Sequence, residues 1–179
     1  MTTEVLVPEG LPQLDSVRNL MRSFISWHRR RHTQDIRLID AYFDAAEFEA
    51  ELRGLPGAYV PPAGQLLLAV AEGQAAGCVA LRQLDAVSCE MKRMFVHERF
   101  HRQGVGLTLA STIIEQARNL GYRKMLLDTS IRQDEAMQLY GKLGFKAIEP
   151  YYDVPEDLRS WLVFMELDLQ QGADCPAKL

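Results

Sequence analysis

Met94-Phe95-Val96-His97-Glu98-Arg99-Phe100-His101-Arg102-Gln103-Gly104-Val105-Gly106-Leu107-Thr108-Leu109 is the stretch on which the fold turns. It opens as an apolar strand, passes through a short charged loop with two glycines one residue apart, and continues as an amphipathic helix. A strand that turns through glycine into a helix leaves backbone N–H groups unpaired at the positive end of a helix dipole. Without a Cβ at Gly104 or Gly106, a bulky anion can approach the main chain closely. Phosphate or pyrophosphate is the natural guest. Two common phosphate motifs fail on spacing. A Gly-x-x-x-x-Gly-Lys loop needs a lysine after its last glycine, and Gly106 is followed by Leu107 and Thr108. A Gly-x-Gly-x-x-Gly fingerprint needs a small residue where Leu109 stands.

Outward from this stretch the periodicity changes several times. Glu4 to Val7 is a short strand candidate ended by Pro8. Leu11 to about Arg31 reads as a helix, with Leu14, Val17, Leu20, Met21, Phe24, Ile25 and Trp27 near one face. A second helix is expected from about Ile36 to Leu52, stopped by Gly54. The loop around Gly57–Gly64 is not low-complexity enough to mark a domain linker. From Gln65 the pattern becomes β-like: Leu66 to Ala71, a turn at Glu72-Gly73-Gln74, Ala75 to Leu84, then Val87 to Val96. After the glycine turn come a helix from Val105 to Leu120, closed by Gly121, and a strand from Lys124 to Thr129. A helix from Asp134 to Leu143, a strand from Phe145 to Ile148, a loop from Pro150 to Ser160 and a strand from Trp161 to Leu169 complete the chain. Hairpins followed by a strand–helix–strand crossover imply an α/β (α+β) fold on one mixed sheet.

Cys89-Glu90-Met91-Lys92-Arg93-Met94-Phe95-Val96 followed by Phe100 to Gly106 closely resembles the acyl-CoA-binding motif of the GNAT N-acetyltransferase superfamily. Ala136-x-x-Leu139-Tyr140-x-x-x-Gly144-Phe145 is similar to that family's other main signature. The resemblance covers about residues 64–169 and is weak over the N-terminal third. One departure stands out: the family usually places Arg or Gln, often followed by Gly, where this chain has His101 and Arg102. The resemblance implies a single GNAT-like domain over 1–179, with acceptor-side helices over about 11–54. Its mixed, mostly antiparallel sheet would have about 6–7 strands, a splayed central strand pair and about 4 helices.

The resemblance further implies acetyl-CoA as co-substrate. The strand Met94, Phe95 and Val96 would part from its neighbour and offer free main-chain groups to the pantetheine arm. The pyrophosphate would lie over the N–H groups of Arg102, Gln103, Gly104, Val105, Gly106 and Leu107, with His101 beside them as a further co-substrate-binding residue and Arg102 or Arg99 adding charge. Gln133 falls near where the family often places an asparagine that contacts pantetheine. Tyr140 takes the family's tyrosine position, where a phenol can serve the departing sulfur. The Tyr151-Tyr152-Asp153 loop lies where the family often builds an acceptor lid.

An alkyl ammonium, with a pKa of about 10.4, must lose a proton before attacking a thioester. Glu90 is the candidate base; with strict alternation it shares a face with Lys92, Met94 and Val96. The alternative for Glu90 is an ion pair with Lys92 or a cross-strand partner. His97 and His101 lie in a loop with no third ligand, so no metal site is expected. Cys89 has no neighbouring histidine and reads as core.

Composition narrows the function classes. At 179 residues the chain suits one domain with a sizeable core. A net charge of −4 argues against a nucleic-acid-binding surface, and the basic run Arg29–Arg31 reads as the solvated C-terminus of a helix. No apolar run reaches the length of about 18 residues that a membrane span needs, and no export signal is seen. Cys78, Cys89 and Cys175 lack metal spacing and suit a reduced, cytoplasmic compartment. The expected activity is acetyl transfer from acetyl-CoA to a primary amine of a small molecule or amino acid, by direct transfer in a ternary complex. A homodimer is compatible with this reading. Two alternatives remain open: a peptide or protein N-acetyltransferase, and a non-catalytic acyl-CoA-sensing module, which the His101 departure keeps in play.

Overall fold

The computed structural model describes residues 2–170; Cys175 lies outside them. Seven strands, β1 (Thr3–Leu6), β2 (Gln65–Ala71), β3 (Gln74–Gln83), β4 (Ser88–Val96), β5 (Lys124–Ser130), β6 (Lys146–Ile148) and β7 (Leu162–Asp168), form one sheet. Their order is β1-β2-β3-β4-β5-β7-β6, antiparallel throughout except for β4 beside β5. Six helices lie among the described residues: α1 (Gly10–Arg31), α2 (Ile36–Tyr42), α3 (Ala45–Gly54), α4 (Val105–Asn119), α5 (Asp134–Lys142) and α6 (Glu156–Arg159). None is long and apolar enough to cross a membrane.

Two cores form, one on each face of the sheet. On one face Val105, Leu109 and Ile113 of α4 and Tyr140 of α5 pack on Leu81, Met91, Met125 and Leu127. On the other, Val17, Leu20, Met21 and Trp27 of α1, with Ile39 and Leu52, pack on Leu66, Leu68, Phe95 and Phe164. The i, i+3, i+4 spacing of Val17, Leu20 and Met21 dictates which side of α1 turns inward.

The expected helix over 36–52 is two helices. The Asp44 carboxylate accepts hydrogen bonds from the Ala46 and Glu47 N–H groups at 3.0 and 2.9 Å. That N-cap starts a new helix axis after Phe43. Asp44-x-x-Glu47 is the local signal for it, and it raises the helix total above the expected number. The 150–160 loop also contains one short helix, α6.

Local chemistry sets the turns around the site. Glu72 and Gly73 both have positive φ, 52° and 71°, as a two-residue hairpin between twisted strands requires. Helix α4 ends in a Schellman arrangement: Tyr122 N–H donates to Ala117 O and Gly121 N–H to Arg118 O.

A second correction concerns β4. Phe95 pairs with Cys78 and Lys92 with Ala80, so three steps along β4 oppose two along β3. Arg93, with φ 56°, is the extra residue. The bulge breaks the alternation, so Glu90 and Lys92 do not share a face with Met94 and Val96. Cys89, Met91, Met94 and Val96 pack toward α4, whereas Phe95 packs toward α1.

Candidate active site

Strands β4 and β5 pair only where Ser88, Cys89 and Glu90 face Lys124, Met125 and Leu126. Beyond Glu90 they part, as the splayed pair requires. The gap opens because the β4 bulge turns the strand away just where β5 continues into its pairing with β7. A chamber of about 70 Å³ lies between the parted strands, and a cleft of about 610 Å³ adjoins it along the end of β4, α1, the Gly104–Gly106 turn and α5.

The cleft gathers most of the expected co-substrate residues: Met94, Phe95, Val96, His101, Arg102, Gly104, Gly106, Leu107, Gln133 and Tyr140. Val105 and Gln103 do not line it. The Val105 side chain is fully buried in the core under α4, and Gln103 Nε2 donates to Arg99 O at 2.8 Å, closing the loop on itself. Arg99 also turns away, toward Gln74 Oε1 at 2.8 Å and Glu72 at 3.4 Å on the β2–β3 hairpin. Arg102 keeps the cleft side and has no ion pair among the described residues.

His101 makes the loop in its own way. Its Nε2 lies 2.8 Å from Val96 O, and a carbonyl only accepts, so Nε2 carries the hydrogen. The ring stands edge-on to Trp27 of α1 at 6.2 Å. The histidine therefore ties the phosphate-side loop to the end of β4 and to α1, and it takes one main-chain carbonyl of the expected open edge.

Gly104, with φ 84°, is the N-cap of α4, a left-handed conformation that favours glycine. Gly106 follows in the first turn. A Cβ there would meet Leu139, Val96 and Met94 side-chain atoms at 3.6 to 3.8 Å, so its missing methyl leaves room on the cleft floor rather than relieving a clash. Gln133 caps the approach to α5, is 8 % exposed, and its Nε2 has no hydrogen-bond partner. A buried amide donor aimed into a cleft is an unmet demand for an acceptor.

Tyr140 stands at the junction. It lines both the cleft and the smaller chamber, which is bordered by Lys92, Asp128, His28 and Trp161. Burial, and next the charge of Asp128, push its phenol above the ordinary tyrosine range, so it is a proton donor at neutral pH. Among the described residues nothing hydrogen-bonds its hydroxyl.

On the α1–α3 side of the sheet the charges interlock. Glu90, 1 % exposed, receives Arg82 Nε at 2.6 Å from its cross-strand partner and Tyr151 OH at 2.7 Å. Asp128 Oδ2 receives Tyr42 OH at 2.8 Å and Tyr152 OH at 2.6 Å. Lys92 Nζ sits between them, 3.6 Å from Glu90 Oε1 and 3.6 Å from Asp128 Oδ1. Burial, and then Asp128, raise the Tyr42 and Tyr152 phenols, which keeps both as donors. Glu51 and Arg93 form a separate two-point pair at 3.0 and 2.5 Å.

The sequence reading missed Asp128, Tyr42 and the bridging position of Lys92. One signal was available: Asp128 interrupts the apolar run Met125-Leu126-Leu127 of a strand. From the 150–160 loop, Tyr151 and Tyr152 reach Glu90 and Asp128. His97 accepts the Arg99 N–H at 3.3 Å and so serves its own turn. Arg29, Arg30 and Arg31 each meet a carboxylate of this chain, Asp40, Glu98 and Glu135.

A sequence model described as the Acetyltransferase (GNAT) family matches residues 18–145. The chain is similar to an uncharacterized N-acetyltransferase of Schizosaccharomyces pombe, 38% identical over 115 residues that make up 63% of this chain and 69% of that protein. Its fold is similar to that of a GNAT-family acetyltransferase from Staphylococcus aureus, with a TM-score of 0.73 at 18% identity over 94% of this chain and 99% of the other. The PaiA N-acetyltransferase of Thermoplasma acidophilum, solved in complex with coenzyme A, has a TM-score of 0.65 at 17% identity over 94% of this chain and 99% of that one.

Proposed function

Because the chain belongs to the acetyltransferase (GNAT) family, we propose that it moves an acetyl group from acetyl-CoA to a primary amine of a small molecule or amino acid. The observation that carries this reading is the single cleft joining the Gly104–Gly106 turn, the open edge of β4 and Tyr140. Acetyl-CoA supplies an activated acyl thioester with a long amide arm and a pyrophosphate. The α4 N-terminus and Arg102 hold the pyrophosphate, Gly106 gives it room, and Gln133 Nε2 donates to an amide carbonyl of the arm. Helices α1–α3 wall the acceptor side.

Chemistry then follows from the groups around Tyr140. The amine nitrogen attacks the thioester carbonyl carbon, the carbon–sulfur bond breaks, and the Tyr140 hydroxyl donates its proton to the sulfur. The acceptor's ammonium gives up one proton before attack, to the carboxylates flanking Lys92; the second, released from nitrogen as the carbon–sulfur bond breaks, returns Tyr140 to its phenol form. Asp128 Oδ1 is the nearer, since Asp128 borders the Tyr140 chamber and Glu90 does not; Glu90 stands behind it as the second carboxylate. Transfer is direct, in a ternary complex. Burial pushes the Cys78 and Cys89 thiols up to about 12, so neither offers a thiolate to carry the acetyl group.

The test is CoA-thiol release from acetyl-CoA over a panel of amines, with Tyr140→Phe alongside. Turnover should fall roughly 100-fold in the variant, while CoA affinity stays within about twofold. An unchanged rate removes Tyr140 from the mechanism. Parallel rather than intersecting initial-velocity lines would refute direct transfer. Tight acetyl-CoA binding with no thiol release from any amine would leave the acyl-CoA-sensing reading in its place.

A further inference from the structure

Lys92 has a largely buried side chain, 14% exposed, whose ammonium makes no hydrogen bond among the described residues. Both of its carboxylate neighbours stand at 3.6 Å, beyond hydrogen-bond reach. Its three donors therefore have no protein acceptor among the described residues and stay available to water or to a ligand. Lys92 also borders more than one cavity. It lines the Tyr140 chamber and, on its other side, a pocket of about 330 Å³ shared with Arg82, Glu90 and Tyr152.

The neighbouring carboxylates do not have the same freedom. Glu90 is held on both oxygens, by Arg82 and Tyr151. Asp128 Oδ2 is held by two phenols, and Oδ1 is open. Arg82 donates only through Nε, leaving the outer edge of its guanidinium on the pocket side. Lys92 thus stands between two spaces, with the open Asp128 oxygen on the Tyr140 chamber and the free edge of Arg82 on the outer pocket.

We propose that the acceptor is a zwitterion, an amine carrying a carboxylate one or two carbons away, and that Lys92 with Arg82 is the counter-charge that selects it. This rests on the acetyl-transfer reading above. The acceptor's ammonium meets Asp128 Oδ1 before it loses its proton, and its carboxylate meets Lys92 Nζ and the free edge of Arg82. The charges then alternate in sign, from Asp128 through the acceptor's ammonium and carboxylate to the paired cations Lys92 and Arg82. Lys92 and Arg82 already balance Asp128 and Glu90, so a zwitterion leaves the cavity neutral. A plain alkyl ammonium would add an uncompensated cation within a few ångströms of Lys92, an arrangement that discriminates by repulsion. The reacting amine is placed toward Tyr140 because Asp128 and Lys92 both border that chamber, whereas Arg82 borders only the outer pockets.

Amino acids and their carboxyl-free counterparts test this directly in the wild-type protein. Each free amino acid is compared with its amide and its decarboxylated amine for thiol release from acetyl-CoA. Loss of the carboxylate should lower kcat/KM by roughly 30-fold or more, mainly through KM. Lys92→Gln should raise KM for the free amino acids at least about tenfold and, by removing the repulsion, lower KM for the decarboxylated amines, so that the preference narrows from both sides, and Lys92→Arg should restore part of the difference. Equal turnover of amino acids and carboxyl-free amines by the wild type overturns the proposal while leaving acetyl transfer intact. Absence of thiol release from every amine, charged or neutral at the far end, overturns both. The wild-type comparison decides the matter even if a Lys92 variant fails to fold.

Discussion

His28 is a histidine that the fold keeps neutral, and replacing it should change how stability responds to acid. It is 2 % exposed, ringed by Phe24, Trp27 and Trp161 at 5.7, 6.3 and 5.7 Å, and its Nδ1 has no partner. Burial pushes the imidazole down from 6.5 to about 4. In the unfolded chain it protonates near 6.5, so between pH 6.5 and 4 the unfolded state binds the extra proton. Acidification through that window therefore favours unfolding, and stability is regained as pH rises. A drop from pH 7 to 5 corresponds to about 2 kcal/mol for the full displacement. Because the ring borders a chamber and not a solid core, about 1 kcal/mol is expected after screening. His28→Phe fits the aromatic surroundings and removes the titration. Urea denaturation of both proteins at pH 7 and pH 5 gives the measure: the wild type should lose about 1 kcal/mol more than the variant, a few degrees in Tm. Asp35, held low by its Arg132 hydrogen bond, loses its contribution at lower pH and is common to both proteins. Equal losses would refute a buried neutral His28.

Two glycine substitutions separate the cleft from the scaffold. Gly106→Ala meets only ordinary contacts of 3.6 to 3.8 Å and favours the helix, so Tm should hold or rise; filling the cleft floor should weaken CoA binding roughly tenfold by calorimetry, and unchanged affinity would remove Gly106 from the cradle. Gly77→Ala would put a Cβ 2.6 Å from Phe95 O and 2.9 Å from Leu109 Cδ1, forcing β3, β4 and α4 apart at a cost of about 1–3 kcal/mol. An unshifted urea midpoint would show that β3 yields without cost there.

The sequence by itself determined the features whose causes lie within a few residues. The Gly104 left-handed cap, the Glu72-Gly73 turn and the Gly121 and Gly144 helix ends are local conformational demands, and each falls where its spacing places it. Tyr140 and the 101–107 loop were legible through the resemblance of their motifs to the family's signatures, and the fold brings Tyr140, His101, Arg102, Gly104, Gly106 and Leu107 to one cleft with the end of β4. The Asp44 cap was also legible, but the apolar period running on through Phe48 hid the break it makes. Tertiary structure alone decided the charge arrangement. The Arg93 bulge depends on how β4 registers against β3, and no pattern within β4 announces it. It moved Met94 and Val96 to the opposite face from Glu90. Asp128 meets Tyr42 from 86 residues away and Tyr152 from 24; Lys92 has Glu90 two residues along its own strand but gains Asp128 only when β5 comes to lie beside β4. Short-range sterics and hydrogen bonding leave a mark in the order of residues, whereas a charge's partners are set by which surfaces fold against each other.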